Sequence, residues 1–408
     1  MTSDPITNMT TTAMSMSGVH MTPWFDRVTL GLLLLFVGAV QVSIAVAEAA
    51  LLLLLLLWAT MLVREAVRPA APTFFWPLLA YAGMTLVSSA FSMDPLESFF
   101  DSRQLVLFLI VPMVYDLARG PKTKIVADVI VTVGALAAAY GIIQYTLLHF
   151  DSLRLRPRGT LGHYMTYAGT LMLVIGLAAA RLVFATRDRK WPALVMPALL
   201  VALTMTLTRS AWVGVSVGVG LLFVLKDLRL TALIPVVIAI VFALAPDSVT
   251  NRIMSLSDLR DPSSRDRLAM VQTGASMIRD HPLTGVGPNM VQRLYTQYRD
   301  QNSVQKVNPH LHNVPLQIAA ERGLPALAVW IAFVVVLTAG VFRLFRTSGD
   351  RTLPAAALAA IGAMLAAGIF EYNFGDSEFL MLFLVIVTLP FAAVRGDEQG
   401  SASDISPR

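Results

Sequence analysis

Arginine and histidine carry the chemistry available to this chain. Seven arginines (Arg252, Arg260, Arg265, Arg267, Arg279, Arg293 and Arg299) fall between Asp247 and Asn313, and the stretch closes on Asn308-Pro309-His310-Leu311-His312-Asn313. Arg154, Arg156 and Arg158 stand in a second polar segment, and Arg209 stands alone between two apolar runs. Guanidinium groups grip phosphate oxygens through paired hydrogen bonds and stay charged at any working pH. Imidazole accepts a proton near pH 7, and as a general base it contributes typically about 10²–10⁴ in rate. Brought together, these residues would make a polyanion site with a base beside it. A pyrophosphate attached to a lipid is the ligand that suits such a site. On extended backbone His310 and His312 point in opposite directions, so only one of them reaches a given proton. Gly285-Val286-Gly287 offers a weak candidate for a backbone anion nest, and a tight turn is the plainer reading.

Such residues need a scaffold, and composition says which kind. The chain has 408 residues, 56% hydrophobic and 14% charged, with a mean hydropathy of +0.67. Soluble domains run near half apolar and a quarter charged, so the expected class is an all-α polytopic membrane protein. There is no cysteine, which removes disulfides and thiolate metal sites. The basic residues are scattered between apolar segments, so orientation in a membrane explains them better than nucleic acid does.

A bilayer core of about 30 Å takes roughly 20 apolar helical residues. That yardstick predicts about 12 transmembrane helices, near 25–44, 46–63, 74–92, 104–118, 125–147, 162–182, 191–208, 210–226, 230–246, 323–342, 353–371 and 378–394. The expected organisation is a cytoplasmic tail (1–24), nine helices (25–246), one large, partly helical periplasmic loop (247–322), three helices (323–394) and a second cytoplasmic tail (395–408). Lys and Arg concentrate in the connections that this order puts inside: Arg64 and Arg68, Arg119 to Lys124, Arg181 to Lys190, Lys226 and Arg229, and Arg343 to Arg351. The Asp94–Asp101 and Glu371–Glu378 stretches are acidic and fall outside, as the positive-inside rule expects. Arg154, Arg156, Arg158 and Arg209 break that rule, which points to a use other than orientation.

Within the long loop, Val291, Leu294, Tyr295 and Tyr298 share one helical face, and Leu268, Val271 and Ile278 do something similar before Pro282 and Gly285. Residues 313–322 should form a helix above the bilayer, because Glu321 and Arg322 in hydrocarbon would cost about 2.5–3.5 kcal/mol each. No ionisable residue falls near the centre of a firmly placed span, which counts against a coupled transporter or lipid flippase. Asp94 and Glu97 alone are too few for a metal site and read as a solvated acidic loop. No metal and no cofactor are expected.

Taken together, these segments resemble the O-antigen ligase and polymerase superfamily of bacterial inner membranes. The resemblance runs from about residue 150 to 340. It rests on Arg156-Pro157-Arg158-Gly159-Thr160-Leu161-Gly162, Thr206-Leu207-Thr208-Arg209-Ser210-Ala211-Trp212 and Asp266-Arg267-Leu268. It rests further on Asp280-His281-Pro282-Leu283-Thr284-Gly285-Val286-Gly287 and on His312-Asn313 through Leu316-Gln317 to Glu321-Arg322-Gly323. Order and spacing carry the likeness more than any single motif.

The resemblance implies a GT-C-like helical fold and metal-independent, inverting sugar transfer at the periplasmic face. The donor would be a glycan on undecaprenyl diphosphate, and the acceptor a sugar hydroxyl of lipid A-core. It makes Arg209 and His312 catalytic, with His310 the rival base. Arg156, Arg158, Arg265 and Arg267 would hold the pyrophosphate. Polymerases of the superfamily often repeat an Arg-x10-Gly pattern, matched here once by Arg158 and Gly169. A ligase is therefore the first expectation, a polymerase the second, and a transporter or flippase a distant third.

Overall fold

The computed structural model describes residues 23–64, 69–232, 250, 262–300 and 303–403. Most of the expected ninth span, Arg68, Arg252, Arg260 and nearly all of the first tail lie outside those residues. Among the described residues there is no β-strand. The helices are α1 (Pro23–Ala39), α2 (Ile44–Arg64), α3 (Phe75–Ala90), α4 (Pro95–Asp101), α5 (Ile110–Leu117), α6 (Lys122–Thr146) and α7 (Tyr164–Phe184). They continue as α8 (Lys190–Met205), α9 (Arg209–Lys226), α10 (Pro262–Asp280), α11 (Met290–Tyr298), α12 (Val314–Thr347), α13 (Thr352–Gly368) and α14 (Ser377–Ser403). Seven of the described helical stretches are long and apolar enough to cross a membrane. α3, α8 and α13 are apolar but shorter. The chain is a polytopic helical membrane protein.

Several expectations shift in detail. The first two spans part at 40–43, with α2 running on through Glu48, so the break comes earlier than the expected one between 44 and 46. The fourth span starts further back, at Pro95. Asp94 caps α4 by accepting from the Glu97 N–H, and a 3-10 stretch (Ser102–Leu109) joins α4 to α5.

Charges sort the two ends of the bundle. At one end Lys122 pairs with Asp26, Lys124 with Asp350, and Asp116 takes both Arg119 and Arg395. These residues come from the connections expected inside, and they meet one another. At the opposite end the turn at Val42 accepts from the Thr160 hydroxyl, and the 284–288 segment packs on α3 and α4.

Close helix contact positions that second end. Gly214 and Gly218 sit one turn apart on α9 against Ala359, Ala363 and Ala367 of α13. A Cβ at Gly218 would come within 2.9 Å of the Ala359 carbonyl oxygen. Small residues four apart let membrane helices approach closely. Here they draw the first turn of α9, with Arg209, towards the residues that follow α13.

Residues 262–322 build a second, smaller core of Met270, Met277, Val286, Met290, Val291, Leu294, Tyr295, Leu311 and Ala320. The α11 face is the expected one, since Val291, Leu294 and Tyr295 are buried and Tyr298 packs against them. The α10 face is met in part: Ile278 packs against this core, but Leu268 and Val271 are exposed, while Met270 and Met277 turn inward. Two methionines seven residues apart are a quieter signal than two branched chains, which is why the other face looked apolar.

The Gly-Val-Gly segment is neither nest nor simple turn. Val286 and Gly287 donate their N–H groups to the carbonyls of Ala320 and Glu321, and Leu324 N–H donates to the Pro282 carbonyl. The α12 rod breaks at this contact, where Gly323 takes φ 81°. Glu321 and Arg322, buried and paired at 2.7 Å, sit on the side of the break away from the long apolar run. Gly285 has φ +66°, and a Cβ there would lie 2.2 Å from the Glu321 carbonyl carbon. Gly285→Ala should therefore cost about 2–4 kcal/mol through left-handed strain plus overpacking, read as a lowered midpoint in thermal unfolding of the purified protein.

The acidic loop is not merely solvated. Arg293 bridges Asp94 at 2.7 Å and Glu97 at 3.2 Å, and Asn289 donates to Glu97 at 2.9 Å. Exposed pairs of this kind contribute little each, but together they fix where α11 lies over α4.

Candidate active site

Four segments remote in sequence face one cavity of about 370 Å³. Its lining includes Arg156 from the 147–163 connection, Arg209 from α9, Arg267 from α10, and His312 from the approach to α12. Gln305, Asn308 and Asp266 complete the polar wall.

Each arginine is held by local structure. The Thr206-Leu207-Thr208 turn puts Leu207 at φ 52°, and Thr206 accepts from the Thr208 N–H. This turn starts α9 so that Arg209, only 4% exposed, stands in its first turn. Arg156 lies 4.3 Å over the Tyr164 ring, and its Nε donates to the Leu153 carbonyl. Burial, together with the neighbouring Arg209 charge and against the pull of Tyr164, holds Arg156 below the ordinary arginine value. Two guanidinium groups that repel across a shared cavity are relieved by an anion between them. Arg267 reaches over Phe370, at 5.8 Å from the ring centroid.

Asp266 anchors this side. Its Oδ1 accepts from the Ser303 hydroxyl and from the N–H groups of Val304 and Gln305. The buried carboxylate thereby ties the 303–308 approach to α10, next to Arg267. Asp266→Ala removes three charge-assisted bonds and should cost about 2–4 kcal/mol, while Asp266→Asn keeps an accepting oxygen and should cost less. Thermal midpoints of the two variants check the order.

The histidines do not diverge as extended backbone would have them. His312 adopts φ 48°, which turns its ring back so that the two imidazole centroids lie 4.3 Å apart. Asn313 then caps α12 by accepting from the Leu316 N–H, and its amide donates to the Ile369 carbonyl. Both rings meet Glu371, a residue that sequence reasoning used only for orientation. His312 Nδ1 is 3.0 Å from Glu371 Oε2, and His310 Nε2 is 3.8 Å from Oε1.

Electrostatics distinguish the two rings. Burial works to raise the Glu371 pKa, but the His312 hydrogen bond, the favourable electrostatics of the two neighbouring imidazoles and the Tyr372 N–H together hold it below the ordinary glutamate value. An ionised carboxylate only accepts, so Nδ1 of His312 carries the shared proton and Nε2 is left as the basic nitrogen. Burial pushes His310 down to about 4, outweighing Glu371. His310 is thus neutral near pH 7, and its Nδ1 is buried with no partner among the described residues.

His310, His312 and Glu371 also offer one ligand atom each within 4.8 Å of one another, a spacing that a divalent ion would accept. Two imidazoles and a carboxylate fit such an ion chemically, although the sequence led us to expect none.

Of the residues singled out in the sequence, Arg156, Arg209, Arg267 and His312 line the same cavity. His310 borders a second cavity beside it. Arg158 and Arg265 are exposed and line neither cavity; Arg158 sits 5.9 Å over Phe150 instead. Asn308, Asp266 and Glu371 were missed as site residues. A buried Asn308 amide with no protein acceptor among the described residues faces the arginine cavity. Such a donor suits an anion oxygen.

Residues 193–331 match the family model described as O-antigen ligase. The matched stretch contains Arg209, Arg267, His310 and His312, while Arg156 and Glu371 lie outside it. The match covers about a third of the chain, and over that stretch the chain is similar to that family. No curated protein matches the chain.

Proposed function

We propose that the protein is an O-antigen ligase of a bacterial inner membrane, with 12 spans, a GT-C-like arrangement and a periplasm-facing site. It transfers a glycan from undecaprenyl diphosphate to a sugar hydroxyl of lipid A-core. The observation that carries this reading is the convergence of Arg156, Arg209, Arg267 and His312 on one cavity, with Glu371 behind the histidine.

In this mechanism His312 Nε2 takes the proton of the acceptor hydroxyl. The acceptor oxygen forms its new bond to the anomeric carbon as the bond from that carbon to the phosphate oxygen breaks. The electron pair leaves with undecaprenyl diphosphate, and configuration inverts. Negative charge grows on the departing diphosphate, so the arginines bind the transition state more strongly than the ground state. Glu371 fixes the His312 tautomer and stabilises the imidazolium as it forms. Asn308 supplies a neutral donor beside the guanidinium groups.

The test is transfer by the purified protein from undecaprenyl-diphosphate glycan to lipid A-core, with and without EDTA. Glycan moved onto lipid A-core in both arms supports a metal-independent ligase. Activity lost with EDTA and restored by a divalent ion would assign the His310, His312 and Glu371 group to a metal instead. Longer glycan still on undecaprenyl diphosphate would make the protein a polymerase, and no product at all would return the transporter reading to consideration.

A further inference from the structure

A second cavity, of about 260 Å³, adjoins the arginine cavity at Met165, which lines both. The wall between them is the histidine–glutamate group: His312 faces the first, while His310 and Glu371 face the second. The remaining lining of the second cavity is Thr166, Asn373, Asp376, Tyr372, His163 and Phe379 with two glycines. Among the described residues no lysine or arginine lines it. The chemistry of the two cavities is therefore opposite: one is set with guanidinium donors, the other with carboxylate, amide and hydroxyl oxygens.

We propose that this second cavity is the acceptor subsite and binds a neutral sugar ring through its hydroxyl groups. The inference rests on the transfer reaction proposed above and adds the place and chemistry of one substrate. Inversion requires the acceptor oxygen to approach the anomeric carbon from the side opposite the leaving phosphate. The acceptor thus needs a site apart from the arginines that still opens towards the base, and the second cavity meets the first at Met165, so a ring seated there can direct its acceptor hydroxyl into the first cavity, where His312 lies.

Its lining also selects for a polyol. Hydroxyl groups donate to carboxylate and amide oxygens, and a cavity holding Glu371 and Asp376 repels a second phosphate. Asp376 is fixed in place, since its Oδ1 accepts from the Phe379 N–H at 2.9 Å and its Oδ2 from the Thr166 hydroxyl. Each oxygen keeps a further lone pair for a ligand. Two buried polar atoms on this lining have no partner among the described residues: Oδ1 of Asn373, a residue 6% exposed, and Nδ1 of His310. Tyr372 supplies aromatic surface for the apolar face of a pyranose ring. The volume falls just under the range of drug-sized sites, so one ring fits and a longer chain must extend outward.

The test is steady-state transfer at varied lipid A-core for the wild type, Asp376→Asn and Thr166→Val. Asparagine caps a helix as well as aspartate does, so Asp376→Asn preserves the start of α14. The expected result is an acceptor KM raised about tenfold in Asp376→Asn, the loss of one charge-assisted hydrogen bond, with the donor KM unchanged. Thr166→Val, which frees the Asp376 carboxylate from its partner, should also move the acceptor KM and leave the donor KM alone. Unchanged acceptor KM in both variants, with the wild type active, overturns the subsite and leaves the transfer reaction standing. Absence of transfer by the wild type overturns both.

Labelling of the wild type with a diazirine-bearing lipid A-core reads the site without turnover. Crosslinks within 163–169 and 371–379 support the proposal, and crosslinks confined to other segments refute it.

Discussion

His312→Asn is expected to lower sugar transfer by about 10²–10⁴, the usual contribution of a general base, and to do so through kcat with KM little changed. Asparagine is the informative replacement because His312 holds φ 48°, a conformation that asparagine tolerates better than alanine. The backbone stays, and the basic nitrogen goes. His310→Asn should cost much less, because burial already keeps His310 neutral and its nearest approach to Glu371 is 3.8 Å. Glu371→Gln should fall between them: the amide can donate to Nδ1, which moves the imidazole proton to Nε2 and leaves the wrong tautomer facing the acceptor. Steady-state transfer by purified variants of matched thermal stability decides the matter. A His312→Asn protein with wild-type kcat would remove the base from the mechanism.

The second large effect belongs to Arg209. Arg209→Lys keeps the positive charge but loses the planar fork, so it is not conservative where two phosphate oxygens must be gripped together. Loss of one aimed donor at a developing charge lowers kcat by about 10²–10³. At 4% exposure Arg209 stands out of reach of solvent screening, which puts the expected loss at the upper end for a single arginine. Arg156→Lys should lose less, since that side chain is partly exposed and leans on Tyr164. Donor KM and kcat for the two variants, measured side by side, test that order. Equal losses would mean that the two arginines act as one unit.

What could be read in the sequence, and what could not, follows from where each signal lives. Long apolar runs dictate membrane helices almost without reference to the rest of the chain, so the all-helical polytopic class was legible. So was the α11 face, because Val291, Leu294 and Tyr295 are bulky and regularly spaced. The break between the first two helices was misplaced because the apolar run hardly pauses there, and the turn at 40–43 is set by packing. Arg209 and His312 were legible as candidates since charged and titratable residues are conspicuous in such a chain.

Glu371 was not, because one acid in an acidic outer connection looks like a topological signal. Only its distance to His312 gives it a chemical meaning. The same is true of Asp94 and Glu97, whose partner Arg293 is almost 200 residues away in the chain. Arg158 and Arg265 show the reverse case, singled out in the sequence but lining neither cavity. A motif places a residue in a neighbourhood, but backbone direction decides which neighbour faces the cavity.

The separate core beneath α10 and α11 has a practical consequence for anyone following this protein in solution. All six tryptophans (Trp24, Trp58, Trp76, Trp191, Trp212 and Trp330) lie on helices of the main bundle, and none lies between 262 and 322. Regions with their own small core can open at a free-energy cost below that of the whole molecule. Intrinsic fluorescence therefore watches the bundle and is blind to the half of the candidate site that carries Arg267 and His312. A sample can look folded by its tryptophans after that half has come undone, so hydrogen exchange over 262–322 is the proper gauge of an intact preparation.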